Sequence, residues 1–263
     1  MHIMINEVFF ENLCQLIVDG IIKGYKDYLD VRKRAKEELI VSTAYAWVKG
    51  NHIDNSVYDM CCKSGILDYK IDKAGYTWEY LQFTLEESGK KYLLFIKNSI
   101  MMHRTFNAKI DQRKKNNYLY EYAGINNRFF QSENLTKLKN EKVVQLELTF
   151  PEFEAMKSKV PMSAPEGYDA FYIITYEIDS QSKMIKDVSL TQPNQSDMSL
   201  YEIANLTPFI GKSKYKISES DLEDILNDNV PEGIYADDNQ AFIYKVVDKE
   251  IDENQDNRED TAN

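Results

Sequence analysis

Cysteine is nearly missing from this chain: Cys14, Cys61 and Cys62 are the only thiols among 263 residues. Three thiols cannot build a disulfide framework, and the adjacent Cys61 and Cys62 have neither the spacing of a zinc knuckle nor that of a redox pair. Buried, reduced thiols are the expected outcome. The three histidines, His2, His52 and His103, are too few and too scattered for much metal chemistry. Ten glycines form no phosphate-cradling loop, and no serine stands in a nucleophile elbow. No apolar run approaches the roughly 20 residues needed to cross a bilayer. The first 25 residues are partly apolar, but Asn6, Glu7, Glu11, Asn12 and Asp19 interrupt them, and they lack a basic leader and a small-residue cleavage site. A soluble, cytoplasmic protein without a recognisable catalytic motif is predicted.

Acid is plentiful but unevenly placed. Residues 217–263 hold 15 acidic and 3 basic side chains, a balance of −12, whereas residues 1–216 hold 28 and 29 and come to +1. Electrostatic fields are local over roughly 10 Å at ordinary salt, so a near-neutral body with an anionic end differs in its partners from a uniformly acidic protein.

Hydrophobic periodicity predicts an α+β order. Residues 6–28 and 31–49 read as two helices, the second closed by Gly50, and 54–64 as a third ending at Gly65. Tyr76 to Leu85 and Lys91 to Lys97 read as strands of a hairpin, with Glu86, Glu87, Ser88 and Gly89 between them. Residues 99–142 are helix-compatible in fragments. Val143 to Phe150 reads as a strand, Pro151 to Lys157 as a helix begun by proline, and Ala170 to Ile178 as a buried strand. That strand is followed by a hairpin turn at Asp179 to Lys183 and a return strand, Ile185 to Thr191, that ends at Pro193. Ser218 to Leu226 has the acidic first turn of a helix, and Ala241 to Val247 reads as a last strand. The predicted fold is α+β, with N-terminal helices packed on a mostly antiparallel mixed sheet. Residues 1–247 form one compact domain in this reading, with a sub-boundary allowed near 140. Residues 248–263, with 7 acids and 2 bases, have too little to bury and are expected to be a disordered acidic tail.

The segments Ala44-Tyr-Ala-Trp-Val-Lys-Gly-Asn-His-Ile-Asp54 and Ala74-Gly-Tyr-Thr-Trp-Glu-Tyr-Leu-Gln-Phe83 resemble an uncharacterised family of bacterial and prophage proteins. The resemblance spans roughly residues 20–210. It implies a stand-alone intracellular protein in a setting rich in phage conflict and mobile elements, and it carries no established catalytic residues.

The order of helix, hairpin and strand over residues 31–97 also resembles restriction-endonuclease-like nucleases. These set a helix carboxylate, a strand Asp, and an acid two residues before a Lys around Mg²⁺. The candidates are Glu38, Asp72 (or Asp68), Glu79 and Lys97. The pattern is broken at Phe95, which stands two residues before Lys97, so Glu79 on the paired strand would have to supply the missing carboxylate. His52 invites a separate reading, because Asp54 could orient its ring as a general base requires. A helix cap using Asn51 or Asp54 is the simpler account.

A second signal is basic and aromatic. Residues 97–142 carry ten cations against four acids, including Arg104, Lys109, Arg113, Lys114, Lys115 and Arg128, with Tyr118, Tyr120, Tyr122, Phe129 and Phe130 interleaved. Cations for phosphates and rings for bases are what single-stranded nucleic acid requires. If the rings point inward they are core instead. Arg32, Lys33, Arg34 and Lys36 would extend the same surface, and the acidic end from Glu219 would compete for it. The leading expectation is a non-catalytic binding or regulatory protein acting in phage–host conflict or mobile-element control. Its partner would be a protein or a nucleic acid, not a membrane, and its oligomeric state stays open. The alternatives are the Mg²⁺-dependent nuclease and an acidic mimic of DNA.

Overall fold

The computed structural model of the chain describes residues 7–74, 78–100, 102, 118–130, 167–196 and 199–226. Its longest element is helix α1, Glu7–Glu38. Leu13, Ile17, Val18, Ile21, Tyr25, Tyr28 and Leu29 recur at three- and four-residue steps and are all buried, so a single stripe of α1 faces the core. The sequence reading divides this segment near residue 29. It is continuous because no glycine or proline stands between Tyr25 and Glu38 to interrupt the hydrogen-bond ladder.

A 3-10 turn, Thr43–Val48, leads into α2, Lys49–Val57, which continues as a π-helical turn over Tyr58–Cys62. Gly50 lies inside α2 instead of closing a helix. The return of α2 along α1 depends on Gly20 and Gly24. A Cβ on Gly24 would stand 2.5 Å from Ile53 Cα, and one on Gly20 would stand 2.8 Å from Val57 Cα. The two backbones approach this closely only because those Cβ atoms are absent.

Among the described residues six strands follow, and their order in the sheet is their order in the chain. They are β1 Asp68–Ala74, β2 Trp78–Glu87, β3 Lys90–Asn98, β4 Ala170–Ile178, β5 Ile185–Asn194 and β6 Ser199–Asn205. Neighbours are antiparallel except β3 and β4, which are parallel. Both expected hairpins are present. The β2–β3 turn passes through Ser88 and Gly89 at φ 52° and 76°, the left-handed pair that matches the twist of a two-residue hairpin. The β4–β5 turn is closed by Asp179, whose Oδ1 accepts the N–H groups of Gln181 and Ser182.

A parallel neighbour requires a crossover. Part of it is α3, Tyr118–Ala123, a 3-10 turn, Gly124–Asn126, and α4, Asn127–Phe130. Phe83, Leu85, Leu94, Ile174 and Leu190 face one way, against α1, α2, α5 (Pro208–Lys212) and α6 (Glu219–Leu226). Tyr80, Leu93, Phe95, Phe171 and Ile173 face the other way, against Met102, Leu119 and Ile125. The fold is therefore α+β, with the N-terminal helices on a mostly antiparallel mixed sheet. The sequence reading did not anticipate the second helical cover. The expected strand 143–150, helix 151–157, strand 241–247 and acidic tail lie outside the described residues, as does the sub-boundary near 140. Among the described residues no helix is long and apolar enough to cross a membrane.

Candidate functional site

Polar chemistry on the α3 side of the sheet begins with the alternation of β1. Its register sets Lys70 opposite Gln82 and Asp72 opposite Tyr80. These four side chains therefore share a face. Gln82 is 3 % exposed, and its Nε2 donates to Asp72 Oδ2 at 2.7 Å, to Tyr122 Oη at 2.7 Å and to Tyr80 Oη at 3.3 Å. The Tyr122 hydroxyl also donates to Asp72 Oδ2, at 3.4 Å. Lys70 Nζ lies 3.8 Å from the same carboxylate oxygen.

Lys97 reaches this network from β3. Its Nζ stands 5.0 Å from the centre of the Tyr80 ring and 5.6 Å from that of Tyr118, and those rings stack at 4.8 Å. An ammonium over two ring faces is held by their quadrupoles. Phe95 sets its edge or face against Tyr80, Tyr122 and Phe171 at 5.4, 5.2 and 4.9 Å. Burial pushes the phenols of Tyr80 and Tyr122 above their ordinary range. The cluster clamps α3 to β1, β2 and β3 and places one carboxylate and two lysines at its margin.

The nuclease candidates separate in this geometry. Glu79 is paired with Lys73, whose Nζ lies 3.5 Å from it, and it projects from the face opposite Asp72. Glu38 ends α1, in the helical layer on the other side of the sheet. Asp72 and Lys97 share a face; Glu38 and Glu79 are not brought to them. One carboxylate already engaged by an amide and a phenol is a poor match for Mg²⁺. Among the described residues no group of three His, Cys, Asp or Glu side chains is placed to hold a metal ion.

Arg104, Lys109, Arg113, Lys114 and Lys115 lie outside the described residues. Tyr118 is half-buried against Tyr80, and the neighbouring rings pack inward as a second core. Arg128 Nη2 donates to the carbonyl oxygens of Tyr168 at 3.3 Å and Asp169 at 2.6 Å, tying α4 to the start of β4. The α1 cations do not extend this face. Arg32 is buried and its Nη1 donates to the Ser42 carbonyl, and Lys36 Nζ donates to the Asp224 carbonyl.

His52 is inside α2, whose first flanking residue is Val48, so the expected cap at Asn51 or Asp54 does not form. Burial lowers the His52 pKa. Asp54 Oδ2 accepts the Leu81 N–H at 3.3 Å, which fixes α2 to β2. Gln82 escaped the sequence reading, and Tyr122 was read only as one of the interleaved rings, because their meeting depends on strand register and on the docking of α3. The alternation of Tyr80 and Gln82 along β2 was the available signal. Comparisons of the chain with protein-family models, curated proteins and solved structures return no match.

Proposed function

We propose that this protein is a non-catalytic binding protein that contacts nucleic acid from the α3 side of its sheet. The supporting observation is where the basic segment is anchored. Met102 and Tyr118 bracket residues 103–117, and both pack in the aromatic cluster on that side. The bracketed sequence carries Arg104, Lys109, Arg113, Lys114 and Lys115 against the single acid Asp111. Five cations in the sequence between these two anchored residues, with Lys97 on the same face of the sheet, favour phosphate contact by counterion release. Control of mobile elements or of phage–host conflict belongs to the same proposal and rests on the family resemblance.

The test is fluorescence anisotropy of full-length protein with labelled single- and double-stranded DNA and RNA at two salt concentrations. Salt-sensitive binding that falls roughly tenfold or more when Arg113, Lys114 and Lys115 are replaced by Gln supports the reading. Binding unchanged by that replacement overturns it.

A protein partner is favoured by a different observation. Leu39, Ile40 and Val41 follow α1 as a run of exposed apolar side chains, with Ile40 fully exposed and Tyr45 close by in sequence. Contiguous apolar exposure of this kind marks contact surfaces. Loss of a captured partner on Ile40→Asp, with nucleic-acid binding unchanged, would assign that surface.

A further inference from the structure

β1 is an edge of the sheet, and among the described residues no strand lies beyond it. An edge presents unpaired N–H and C=O groups to any chain of matching pattern, and proteins commonly blunt it with charge. Here the charges are arranged as a match. Asp68, Tyr69, Lys70, Ile71 and Lys73 are all exposed, and Tyr69 and Ile71 keep 48 % and 58 % of their surface. Tyr69 and Ile71 point to one face. Asp68, Lys70 and Asp72 alternate in sign along the other.

Consider two copies laid antiparallel about a two-fold axis through Ile71. Residue 68 then meets 74, 69 meets 73, 70 meets 72 and 71 meets 71, so the strand, seven residues long, is matched from end to end. Lys70 faces Asp72 of the second copy and Asp72 faces its Lys70, which gives two opposite-charge cross-strand pairs. Ile71 faces Ile71, and the Tyr69 ring faces the second copy's Lys73. Moving the axis by one residue sets Lys70 against Lys70 or Asp72 against Asp72, and like charges directly opposite are destabilising. The pattern therefore selects one register.

We propose that β1 is a self-complementary edge through which two copies of this chain pair antiparallel, continuing the sheet from one molecule into the next. On pairing, the Asp72 carboxylate keeps its bonds to Gln82 and Tyr122, and its Oδ1 exchanges the Lys73 N–H that it accepts at 2.8 Å for the second copy's ammonium, which frees that N–H for the new ladder. A single-strand interface is smaller than the roughly 800 Å² per partner of standard complexes, so the dimer dissociates on dilution. This inference is independent of nucleic-acid binding.

The experiment is sedimentation velocity on the full chain across a wide concentration range, with circular dichroism confirming the fold of each variant. A concentration-dependent dimer is expected, and Lys70→Glu, which sets like charges opposite at both symmetric pairs, raises its dissociation constant about tenfold or more. Register is read separately by cross-linking in a Cys62→Ser background with oxidised glutathione. Opposed Cα atoms stand about 4.5 or 5.5 Å apart, within disulfide reach. Ile71→Cys is expected to cross-link to itself, whereas Tyr69→Cys has no symmetric mate and does not. A monomer at every concentration, a dimer indifferent to Lys70→Glu, or preferential cross-linking of Tyr69→Cys would each overturn the proposal.

Discussion

Asn126 supplies, from outside the sheet, the hydrogen bonding that Pro193 cannot. Its Nδ2 donates to the carbonyl oxygens of Phe171 and Pro193, both at 2.9 Å, and its Oδ1 accepts the Phe171 N–H at 2.9 Å. Pairing of β4 with β5 runs to Ile173 opposite Thr191, and continued register would bring Phe171 to Pro193. Proline has no N–H to give there, and it is normally excluded from the interior of a sheet. Asn126 enters at that gap, 1 % exposed, and joins α3 and α4 to both strands.

Removing that amide would strand three backbone groups in a dry environment. Asn126→Ala is therefore expected to cost about 3 kcal/mol, read from the urea midpoint at constant m-value. In a Pro193→Val background the loss should shrink, because β5 then offers its own N–H. Equal losses in both backgrounds would show that Asn126 does not stand in for the proline.

How much of this was legible beforehand depends on the range of the forces involved. The β2–β3 hairpin was readable because alternation and the Ser88-Gly89 turn are local. β1 was missed because Asp-Tyr-Lys-Ile-Asp-Lys-Ala alternates over only two apolar residues, Tyr69 and Ile71, and its strand character comes from pairing with β2. Pro193 read as the end of a strand, since nothing nearby in sequence announces that Asn126 will repair the ladder. For the candidate site, Asp72 and Lys97 were singled out as metal ligand and water-positioning lysine. Their actual neighbours, Gln82, Tyr80 and Tyr122, are set by register and by a crossover helix, neither of which composition specifies.

The α1–α2 contact leads to a second prediction, because helix propensity and packing oppose each other there. Alanine in a helix interior is favoured over glycine by about 1 kcal/mol. At Gly24 the new Cβ would stand 2.5 Å from Ile53 Cα and 2.6 Å from the His52 carbonyl oxygen, both backbone atoms that cannot rotate away. Overpacking wins, and Gly24→Ala should lose about 1–3 kcal/mol. Gly211→Ala is the control, since nothing lies within 4 Å of its Cβ position, and it should be neutral or slightly stabilising. Thermal melts of the two variants should move in different directions.

Acid sensitivity follows from the attachment of α6 to α1. Lys26 Nζ lies 2.8 Å from Asp221 Oδ2, and the Ser218 N–H donates to the same oxygen at 2.8 Å. These partners hold the Asp221 carboxyl down at about 2. An unfolded aspartate titrates near 3.9, so the folded value is depressed. The contribution is complete above the unfolded value and is lost as pH falls through the folded one. Asp221→Asn should therefore flatten the stability profile between about pH 4 and pH 2, measured as denaturant midpoint against pH. An unchanged slope across that window would place the acid sensitivity elsewhere.

Thiol chemistry tests the burial of the α1 layer directly. Desolvation pushes Cys14 and Cys61 up to about 12 and the half-buried Cys62 to about 11. Each unit by which a thiol's pKa exceeds the pH lowers its thiolate fraction about tenfold, and the thiolate is the reactive form. At pH 8 a chromogenic disulfide reagent should therefore react slowly with all three free cysteines in the folded protein and promptly in denaturant. Access separates the three, because Cys14 and Cys61 lie in the core while Cys62 is only partly covered. Any early phase should belong to Cys62 and vanish in Cys62→Ser. Cys14 and Cys61 should react only through opening of α1, at a rate that rises in parallel with destabilisation by Gly24→Ala. Prompt reaction of two thiols in the folded protein would mean that α1 does not cover the sheet.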